Sequence, residues 1–304
     1  MKHNCQKLTE IVQDITFQAT NIRNLGQEKL AAAFAAKERI EKVIETEGKE
    51  IVARKILGKD FLGVEEVKKA FNIEEEIELP PIPFSWKEIK RAKELGQMLI
   101  LRIDRRSDGV PLTMVNIKKL LNNHTADGTV LLEEEEFSSY ESFYSYETPA
   151  AGWALVSKTE LLDTDDQTYV EQTDSIVDYL EEIYRDEMPE VYQKAISEYI
   201  LARPIILKLL ESPRDTKGAE ILESLAITKL TRQSPIEFVY DSVVLRQNYG
   251  EVFMLGKYIW TRLIDSSGCF VDLGFQYEDS GVIIDNTHPA AFYSFLVACV
   301  SLSR

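Results

Sequence analysis

The segment from Leu263 to Arg304 differs in composition from the rest of the chain. It contains no Lys, Met or Trp, and it is rich in Ser, Asp, Ala, Val, Phe and Gly. Its short apolar runs are interrupted by turn-forming residues at 266–268, 279–281 and 286–289. Runs this short predict strands joined by loops rather than helices. Loops held at one end of a rigid framework often form a binding surface.

The overall composition is that of a globular protein with one large domain or two ordinary ones. The chain has 304 residues, 44% of them hydrophobic, and a formal net charge of −16. This acidic balance argues against nucleic acid as the main partner, because binding phosphates requires a basic surface. No apolar stretch reaches the roughly 18 residues needed to cross a bilayer, and no secretory signal is visible. We therefore expect a soluble, cytoplasmic protein without membrane insertion, with surface display as an open alternative.

The usual catalytic and metal-binding motifs are missing from this sequence. There is no glycine-rich phosphate loop and no serine in a nucleophile elbow. The three histidines and the three cysteines lack the spacing of zinc ligands. Cys269 and Cys299 are expected to be independent apolar residues rather than a disulfide, as is usual in a reducing compartment. We expect no metal ion and no cofactor.

Two regions are predicted from the pattern along the chain. Apolar residues at helical spacing predict helix over residues 7–56, and a further short helix is predicted over 64–71. The acidic run at 74–78 and the prolines at 80–83 then mark a domain boundary. This gives a helical N-terminal region at 1–78 and an α+β domain at 79–304.

Helices and strands alternate beyond the boundary. Helices are predicted over 86–95, 113–121 and 167–184, and another begins at Pro189 and should kink or stop near Pro204. Ser234 and Glu237 form a capping box that begins a helix ending near Gly250. Strands are predicted at 98–103, at 152–156 and from 130 into the four glutamates at 133–136.

Several conspicuous residues have a structural interpretation beside a functional one. The acidic stretch 163–166 imitates a calcium loop, but an acidic helix N-terminus fits it better. The glutamates at 133–136 are expected to be solvated. The aromatic residues between Phe137 and Tyr146 are expected to pack onto the core, as are Trp153 and Trp260. His288 is expected to be exposed in a loop.

The order of elements after Leu230 resembles a known family. A helix start at 230–237 is followed by Tyr258–Thr261, Phe270–Phe275, Gly281–Ile284 and Val300–Arg304. This order is similar to the last third of the C-type lectin fold in formylglycine-generating-enzyme-like domains. It looks most like the variable proteins of diversity-generating retroelements, and the resemblance extends upstream to Trp86. It implies a C-type-lectin-like domain with a mixed or antiparallel sheet of short strands and flanking helices.

The resemblance also implies a variable C-terminal segment, at about 258–304, whose adenine-containing codons are rewritten by error-prone reverse transcription. Changing only the adenines of an AAC codon cannot produce Lys, Glu, Gln, Met or Trp. Between Leu263 and Arg304 only Gln276 and Glu278 belong to that group.

The sequence lacks motifs of the calcium-dependent lectins, and it has few candidates for the catalytic cysteines of the formylglycine-generating enzymes. The Glu-Pro-Asn, Gln-Pro-Asp and Trp-Asn-Asp triplets of calcium-dependent sugar-binding lectins are absent. The formylglycine-generating enzymes need active-site cysteines, for which Cys269 and Cys299 are the only candidates. We therefore expect a protein-binding display protein rather than an enzyme.

The expected binding surface consists of side chains in the variable segment that face outward. Aromatic and aliphatic members would supply contact area, and polar members would supply specificity. The expected set is Leu263, Asp265, Cys269, Asp272, Tyr277, Ile283, Asp285, Asn286, Thr287, His288, Ala291, Phe292 and Tyr293. The inward scaffold is expected to comprise Trp260, Val271, Leu273, Val282 and Ile284.

Two other functions remain alternatives. One is a modifying enzyme on the same fold, which would need a reactive Cys269 or Cys299 or a bound metal. The other is a structural or assembly protein whose residues 1–78 mediate oligomerisation. The apolar face from Leu8 to Leu25 could equally form an internal helical pair.

Overall fold

The structure is a computed structural model that describes residues 48–77, 80–125, 128–133, 138–212 and 216–303. The chain divides into two compact units, Met1–Ala53 and Arg54–Arg304. This division lies before the boundary that the prolines at 80–83 predict. Of the helix predicted over residues 7–56, only the part from 48 lies within the described residues, and 48–57 are helical. All strands of the described chain lie in the second unit.

The second unit is an α+β fold in which helices surround two mixed sheets. The helices are α1 (Val64–Phe71), α2 (Trp86–Glu94), α3 (Met114–Leu120), α4 (Ser142–Tyr146), α5 (Tyr169–Tyr184), α6 (Glu190–Leu210), α7 (Lys217–Ser224), α8 (Ala226–Thr231) and α9 (Pro235–Tyr249). The strands are β1 (Phe61–Leu62), β2 (Gln97–Arg102), β3 (Gly152–Ser157), β4 (Tyr258–Ile264), β5 (Phe270–Gly274), β6 (Ile283–Thr287), β7 (Leu296–Val297) and β8 (Ser301–Ser303). The predicted α+β class is confirmed at this level.

The strands form two four-stranded sheets within the described part of the chain. The first sheet has the order β1-β2-β3-β8, and the second sheet has the order β6-β5-β4-β7. In each sheet one pair is parallel, β1 with β2 and β4 with β7, and the other pairs are antiparallel. The predicted strand from Val130 is reduced to isolated bridges, and residues 134–137 lie outside the described residues.

Capping residues explain why three helices begin where they do. Ser85, Thr168 and Ser234 each accept a hydrogen bond from the backbone three residues later, and a glutamate there binds back to the cap. Each box satisfies two of the free N–H groups at the helix start. Thr168 therefore caps α5, and the acidic residues at 163–166 lie in turns before the helix rather than at its N-terminus. Asp163 and Asp166 have positive φ there.

Helix α6 does not stop near Pro204, which was one of the two outcomes expected there. The helix continues through Pro204 to Leu210. Ile206 and Leu210 on its inner face are buried. Their burial continues the core beyond the proline and compensates for the hydrogen bond that proline cannot make. Gly218 in α7 permits the close approach, because a Cβ there would lie 2.7 Å from the Leu210 side chain.

A buried ionic cluster ties the first sheet to α9. Arg102 of β2 donates two hydrogen bonds to Asp241, at 3.0 and 2.5 Å, and a third to Ser301 of β8 at 3.2 Å. Glu237 lies 3.5 Å from the same guanidinium. Burial opposes the charged form of Arg102, but attraction to Asp241 and Glu237 outweighs it and raises the pKa of Arg102. The cluster therefore places ionised groups in the core, where each depends on its partners.

Candidate functional site

Most of the expected binding residues are at least partly accessible. Tyr277, Phe292 and Tyr293 are exposed to 61%, 59% and 46%, and Asp285 is also exposed. The half-buried members are Leu263, Cys269, Ile283, Asn286, Thr287, His288 and Ala291. The scaffold prediction is confirmed, because its members are all buried: Trp260, Val271, Leu273, Val282 and Ile284. Two members of the binding set, Asp265 and Asp272, lie in the interior.

Asp265 is a structural residue of the turn between β4 and β5, and expecting it on the surface was wrong. One carboxylate oxygen accepts hydrogen bonds from the Ser267 backbone, the Ser267 hydroxyl and the Cys269 backbone. The other accepts from the Asn286 side chain at 2.6 Å. A short carboxylate that binds backbone N–H groups ahead of it stabilises a turn. Asp265 therefore fixes the hairpin and the position of Asn286 on β6.

Asp272 lies at the centre of β5 and is only 2% exposed, so the surface prediction was wrong here too. It is paired with Trp260 on β4 and with Asp285 on β6. Burial, and secondarily the charge of Asp285, raise the pKa of Asp272 to about 7, although the Thr287 side chain opposes the shift. One of its carboxylate oxygens has no hydrogen-bond partner among the described residues. Asp272 is thus a buried titratable group beneath more accessible neighbours.

Tyr169 of α5 explains why alternation failed to predict the burial of Asp272. In β5, Phe270 and Asp272 lie on one face, and Val271 and Leu273 lie on the other. Tyr169 stacks on Phe270 with ring centroids 3.9 Å apart and also contacts Trp260. Both faces of β5 are therefore covered, so the alternation of side chains does not separate exposed from buried positions there.

The accessible part of this sheet face lies at its β6 edge. Ile283, Asp285 and Thr287 alternate along β6 and pair with Gly274, Asp272 and Phe270. Asp285 is exposed, and the other two are half-buried. The intervening Ile284 points into the core and is 2% exposed. An edge strand with one accessible face can present its side chains to a partner without disturbing the core.

Aromatic residues continue this accessible face beyond β6. Tyr258 contacts Phe295 edge to face at 5.5 Å, and Phe295 stacks on Tyr293 at 5.2 Å. Gly274 makes room for Tyr258, because a Cβ there would lie 2.2 Å from the Lys257 carbonyl oxygen and 2.8 Å from the ring. We use the name display face for the accessible residues of β6, of the loops on either side of it and of this aromatic cluster: Tyr258, Tyr277, Ile283, Asp285, Thr287, Phe292, Tyr293 and Phe295. Tyr258 and Phe295 were not in the predicted set. Phe295 could have been included, because it follows the predicted Phe292 and Tyr293 closely in sequence.

The segment Leu296–Ser303, which we call the terminal segment, belongs to the core. Its β7 part lies in the second sheet and its β8 part in the first. From Leu296 to Leu302 every residue is buried. Gln172 donates a hydrogen bond to the Leu296 carbonyl at 2.9 Å, and the Ser157 backbone donates to the Val300 carbonyl at 2.9 Å. The predicted variable segment therefore contains both an accessible part and a part that links the two sheets.

The two cysteines of the second unit differ in burial, because Cys269 is half-buried and Cys299 is buried. Cys269 and Cys299 are both free, as predicted. Cys299 is buried, and burial is the main cause that raises the pKa of its thiol to about 12. A thiolate is the reactive form of cysteine, and this environment suppresses it. Among the described residues, no group of three His, Cys, Asp or Glu side chains is placed to hold a metal ion.

The aromatic segment before β3 is divided between core and surface. Phe143 and Tyr144 are buried as predicted, whereas Tyr140 and Tyr146 are 80% and 83% exposed. Phe137 lies outside the described residues. Glu141 accepts hydrogen bonds from the backbone and hydroxyl of Ser266, which places this segment beside the β4–β5 turn. Tyr140 and Tyr146 therefore offer two further accessible aromatic side chains near the second sheet.

His288 has a structural role and is half-buried rather than exposed. Its Nδ1 atom accepts a hydrogen bond from the Ala290 backbone at 3.2 Å. Burial lowers the pKa of His288, which favours the neutral ring that can accept this bond. The predicted loop position of His288 is confirmed, because the residue lies just after β6.

A separate pocket of about 540 Å³ lies between α2, the end of α5 and the first sheet. Its apolar lining includes Leu95, Leu155, Ile183 and Leu302. Lys87 and Glu187, which both line it, form an ion pair at 2.5 Å, and the Tyr184 hydroxyl donates a hydrogen bond to Glu88. Acidic and basic side chains both line this pocket, so its charge does not favour one class of ligand.

Comparisons with protein-family models, with curated proteins and with solved structures find no match to this chain. No helix among the described residues has the length and apolar character needed to cross a membrane.

Proposed function

We infer that this protein is a ligand-binding display protein whose display face recognises other proteins. The observation that carries the proposal is the division within residues 258–303. Accessible aromatic and polar side chains occupy β6 and the loops at 276–281 and 288–295, whereas the strands behind them are buried. Exposed loop residues contribute little to stability, so such a surface tolerates substitution.

The chemistry of the display face favours a protein ligand. Tyr277, Phe292 and Tyr293 offer large, rigid contact areas, and Asp285 and Thr287 offer hydrogen-bonding groups between them. Mixtures of this kind are typical of protein-binding surfaces. From residue 263 to residue 303 the chain has acidic residues but no Lys or Arg. The complementary partner surface is therefore basic or neutral rather than acidic.

The proposal includes a C-type-lectin-like framework and diversification by a retroelement. Two features support it: the resemblance in the order of elements after Leu230, and a composition that adenine-directed change of AAC codons can produce. The two residues outside that composition, Gln276 and Glu278, are exposed in the loop after β5. They are template-fixed or arise from other codons in this proposal.

Sequencing the DNA around the coding region tests the proposal. The expected result is a nearby repeat of the codons for residues 258–304 that differs only at adenines, beside a reverse transcriptase gene. Its absence would refute diversification by a retroelement, and a fixed binding surface would then be the remaining interpretation of the display face. A repeat that differs equally at all four bases would also contradict the proposal.

A further inference from the structure

Helix α6 presents an apolar patch to solvent. Ile200, Leu201 and Ile205 are 56%, 78% and 59% exposed, and Leu207 is 41% exposed. Pro204 between them is partly accessible as well. The inner face of the same helix is buried and includes Tyr192, Ile196, Tyr199 and Ile206. We call the five accessible residues at 200, 201, 204, 205 and 207 the α6 patch.

The patch is contiguous because of helical geometry. Residues 201, 204 and 205 lie on the same face, because 204 and 205 are three and four residues after 201. Residues 200 and 207 lie beside Pro204 on that face, four residues before it and three residues after it. Scattered exposed apolar residues are normal on a protein surface, but a contiguous cluster marks an interaction site. Arg203, the charged residue within this stretch, points to Asp174 of α5 and forms hydrogen bonds to it at 2.6–3.1 Å.

Two of the charges that flank the patch have a two-fold pattern. Lys194 and Glu198 lie before it, and Lys208 and Glu211 lie after it. If two copies of α6 pack antiparallel about the midpoint of residues 202 and 203, then Lys194 of each copy faces Glu211 of the other. In the same register Ile200 faces Ile205, and Leu201 faces Pro204. A surface that is complementary to itself in this way is what an isologous dimer requires.

We propose that the α6 patch is the interface of a homodimer in which two α6 helices pack antiparallel. The occupant is a second copy of this chain, because the apolar centre pairs with itself and the flanking Lys194 and Glu211 are of opposite sign. The ion pair between Lys194 and Glu190 within one helix leaves Lys194 on the outer surface, with 76% of its side chain exposed. The inference does not depend on the proposed function, although a dimer would carry two display faces and so gain affinity for multivalent targets.

The first test is the mass of the full chain by analytical ultracentrifugation over a wide range of concentration. Leu201→Asp should halve the mass of the assembled species, because it places a charge at the centre of an apolar contact. Leu162→Asp is the matched control: Leu162 is a loop leucine with 83% exposure and should leave the mass unchanged. Circular dichroism of each variant verifies that the fold is retained. A wild-type chain that stays monomeric, or a dimer that survives Leu201→Asp, would overturn the proposal.

The second test examines the register through charge exchange. Lys194→Glu and Glu211→Lys should each weaken the homodimer. In either variant both of the pairs between residue 194 of one copy and residue 211 of the other consist of like charges. An equimolar mixture of the two variants should recover association, because the heterodimer contains one 194–211 pair in which both charges are exchanged and one in which both are native. No contact within one chain can give this recovery, since about 25 Å of helix separates the two residues. A mixture that associates no better than its components would refute the register.

The third measurement distinguishes a membrane from a second copy as the occupant. Flotation with vesicles of neutral phosphatidylcholine should show no binding of the wild-type chain. Binding to these vesicles that disappears in Leu201→Asp, together with a monomeric wild type, would assign the α6 patch to a lipid surface and overturn the homodimer.

Discussion

The two sheets of this fold differ in how completely they are covered. In the first sheet every residue of β2 is buried, and Arg102 at its end forms the ionic cluster with Asp241. In the second sheet the edge strand β6 alternates between the buried Ile284 and accessible neighbours such as Asp285. The first sheet thus has no accessible face at β2, whereas the second has one at β6.

This difference shows how one fold can separate the residues that stabilise it from the residues that are accessible to a partner. The residues that we expect to determine stability lie in the first sheet, in α9, in the terminal segment and at the buried positions of β4 and β5. The display face lies on β6, on Tyr258 at the start of β4, and on the loops on either side of β6. The terminal segment joins the two regions, because β7 pairs with β4 and β8 pairs with β3. Substitutions on the two sides of this division should therefore have very different effects on stability.

The largest effect is expected from breaking the ionic cluster of the first sheet. Asp241→Ala leaves the buried Arg102 without its main partner and should lower the free energy of unfolding by about 3–5 kcal/mol. Urea denaturation monitored by circular dichroism measures it. The double variant Arg102→Met/Asp241→Leu removes two of the three charges and should regain part of that loss, because Glu237 keeps its ion pair with Arg262 at 3.2 Å. A single variant that is as stable as the wild type would show that the cluster does not anchor α9 to the first sheet.

A smaller but clear effect should separate the terminal segment from the display face. Leu302 is 1% exposed, and Leu302→Ala should cost about 2–4 kcal/mol of unfolding free energy. Phe292 is 59% exposed, and Phe292→Ala should cost no more than about 0.5 kcal/mol. Thermal and urea unfolding of both variants provide the comparison. An equal decrease in the free energy of unfolding in the two variants would contradict the division between framework and display face.

The next prediction concerns pH and the buried Asp272. Its pKa in the folded state is about 7, above the value of about 3.9 in an unfolded chain. The folded state therefore binds the proton more tightly, and the stabilisation is complete below about pH 4 and is lost as pH rises through about 7. The stability difference between the wild type and Asp272→Asn should fall by a few kcal/mol over that window.

Two observations would test this origin of the pH dependence. Asp285→Asn removes the like charge that helps to raise the pKa of Asp272, so the midpoint should move to lower pH. Urea titrations at a series of pH values measure both effects. A stability difference between the wild type and Asp272→Asn that stays constant from pH 4 to pH 8 would contradict the assignment of Asp272 as a buried titratable group.

The last prediction concerns the reactivity of the Cys299 thiol and involves no change in stability. Its thiol is buried with a pKa of about 12, so a thiol reagent should label it only after unfolding. Mass spectrometry of peptides from native and denatured protein measures the labelling. Rapid modification of Cys299 in the native protein would favour the enzyme alternative.

Local signals predicted a large part of the fold. The capping box at Ser234 was predicted because the cap and its glutamate are three residues apart in sequence. Gly250 ends α9 in the left-handed conformation, as its position after the last apolar residue predicts. Strands β2 and β3 were predicted within a residue because they are short apolar runs between turns.

The features that were missed depend on contacts distant in sequence. Pairing of Leu302 with Leu155 is set by tertiary structure, so the division of the terminal segment between two sheets had no local signal. Asp272 was predicted to face outward, because nothing near it in sequence shows that Tyr169 covers its face. The continuation of α6 past Pro204 likewise depends on packing against α7. The exposure of Tyr277, Phe292 and Tyr293 was predicted, since turn residues and neighbouring aromatics are local features.

Amplicon sequencing of this gene across a natural population tests the central claim most directly. Diversification of the display face predicts variation concentrated in the codons for Tyr277, Ile283, Asp285, Phe292 and Tyr293. The codons for Val271, Leu273 and the buried residues from Leu296 to Leu302 should stay constant. Variation spread evenly over both groups, or no variation in the first group, would contradict the division between framework and display face.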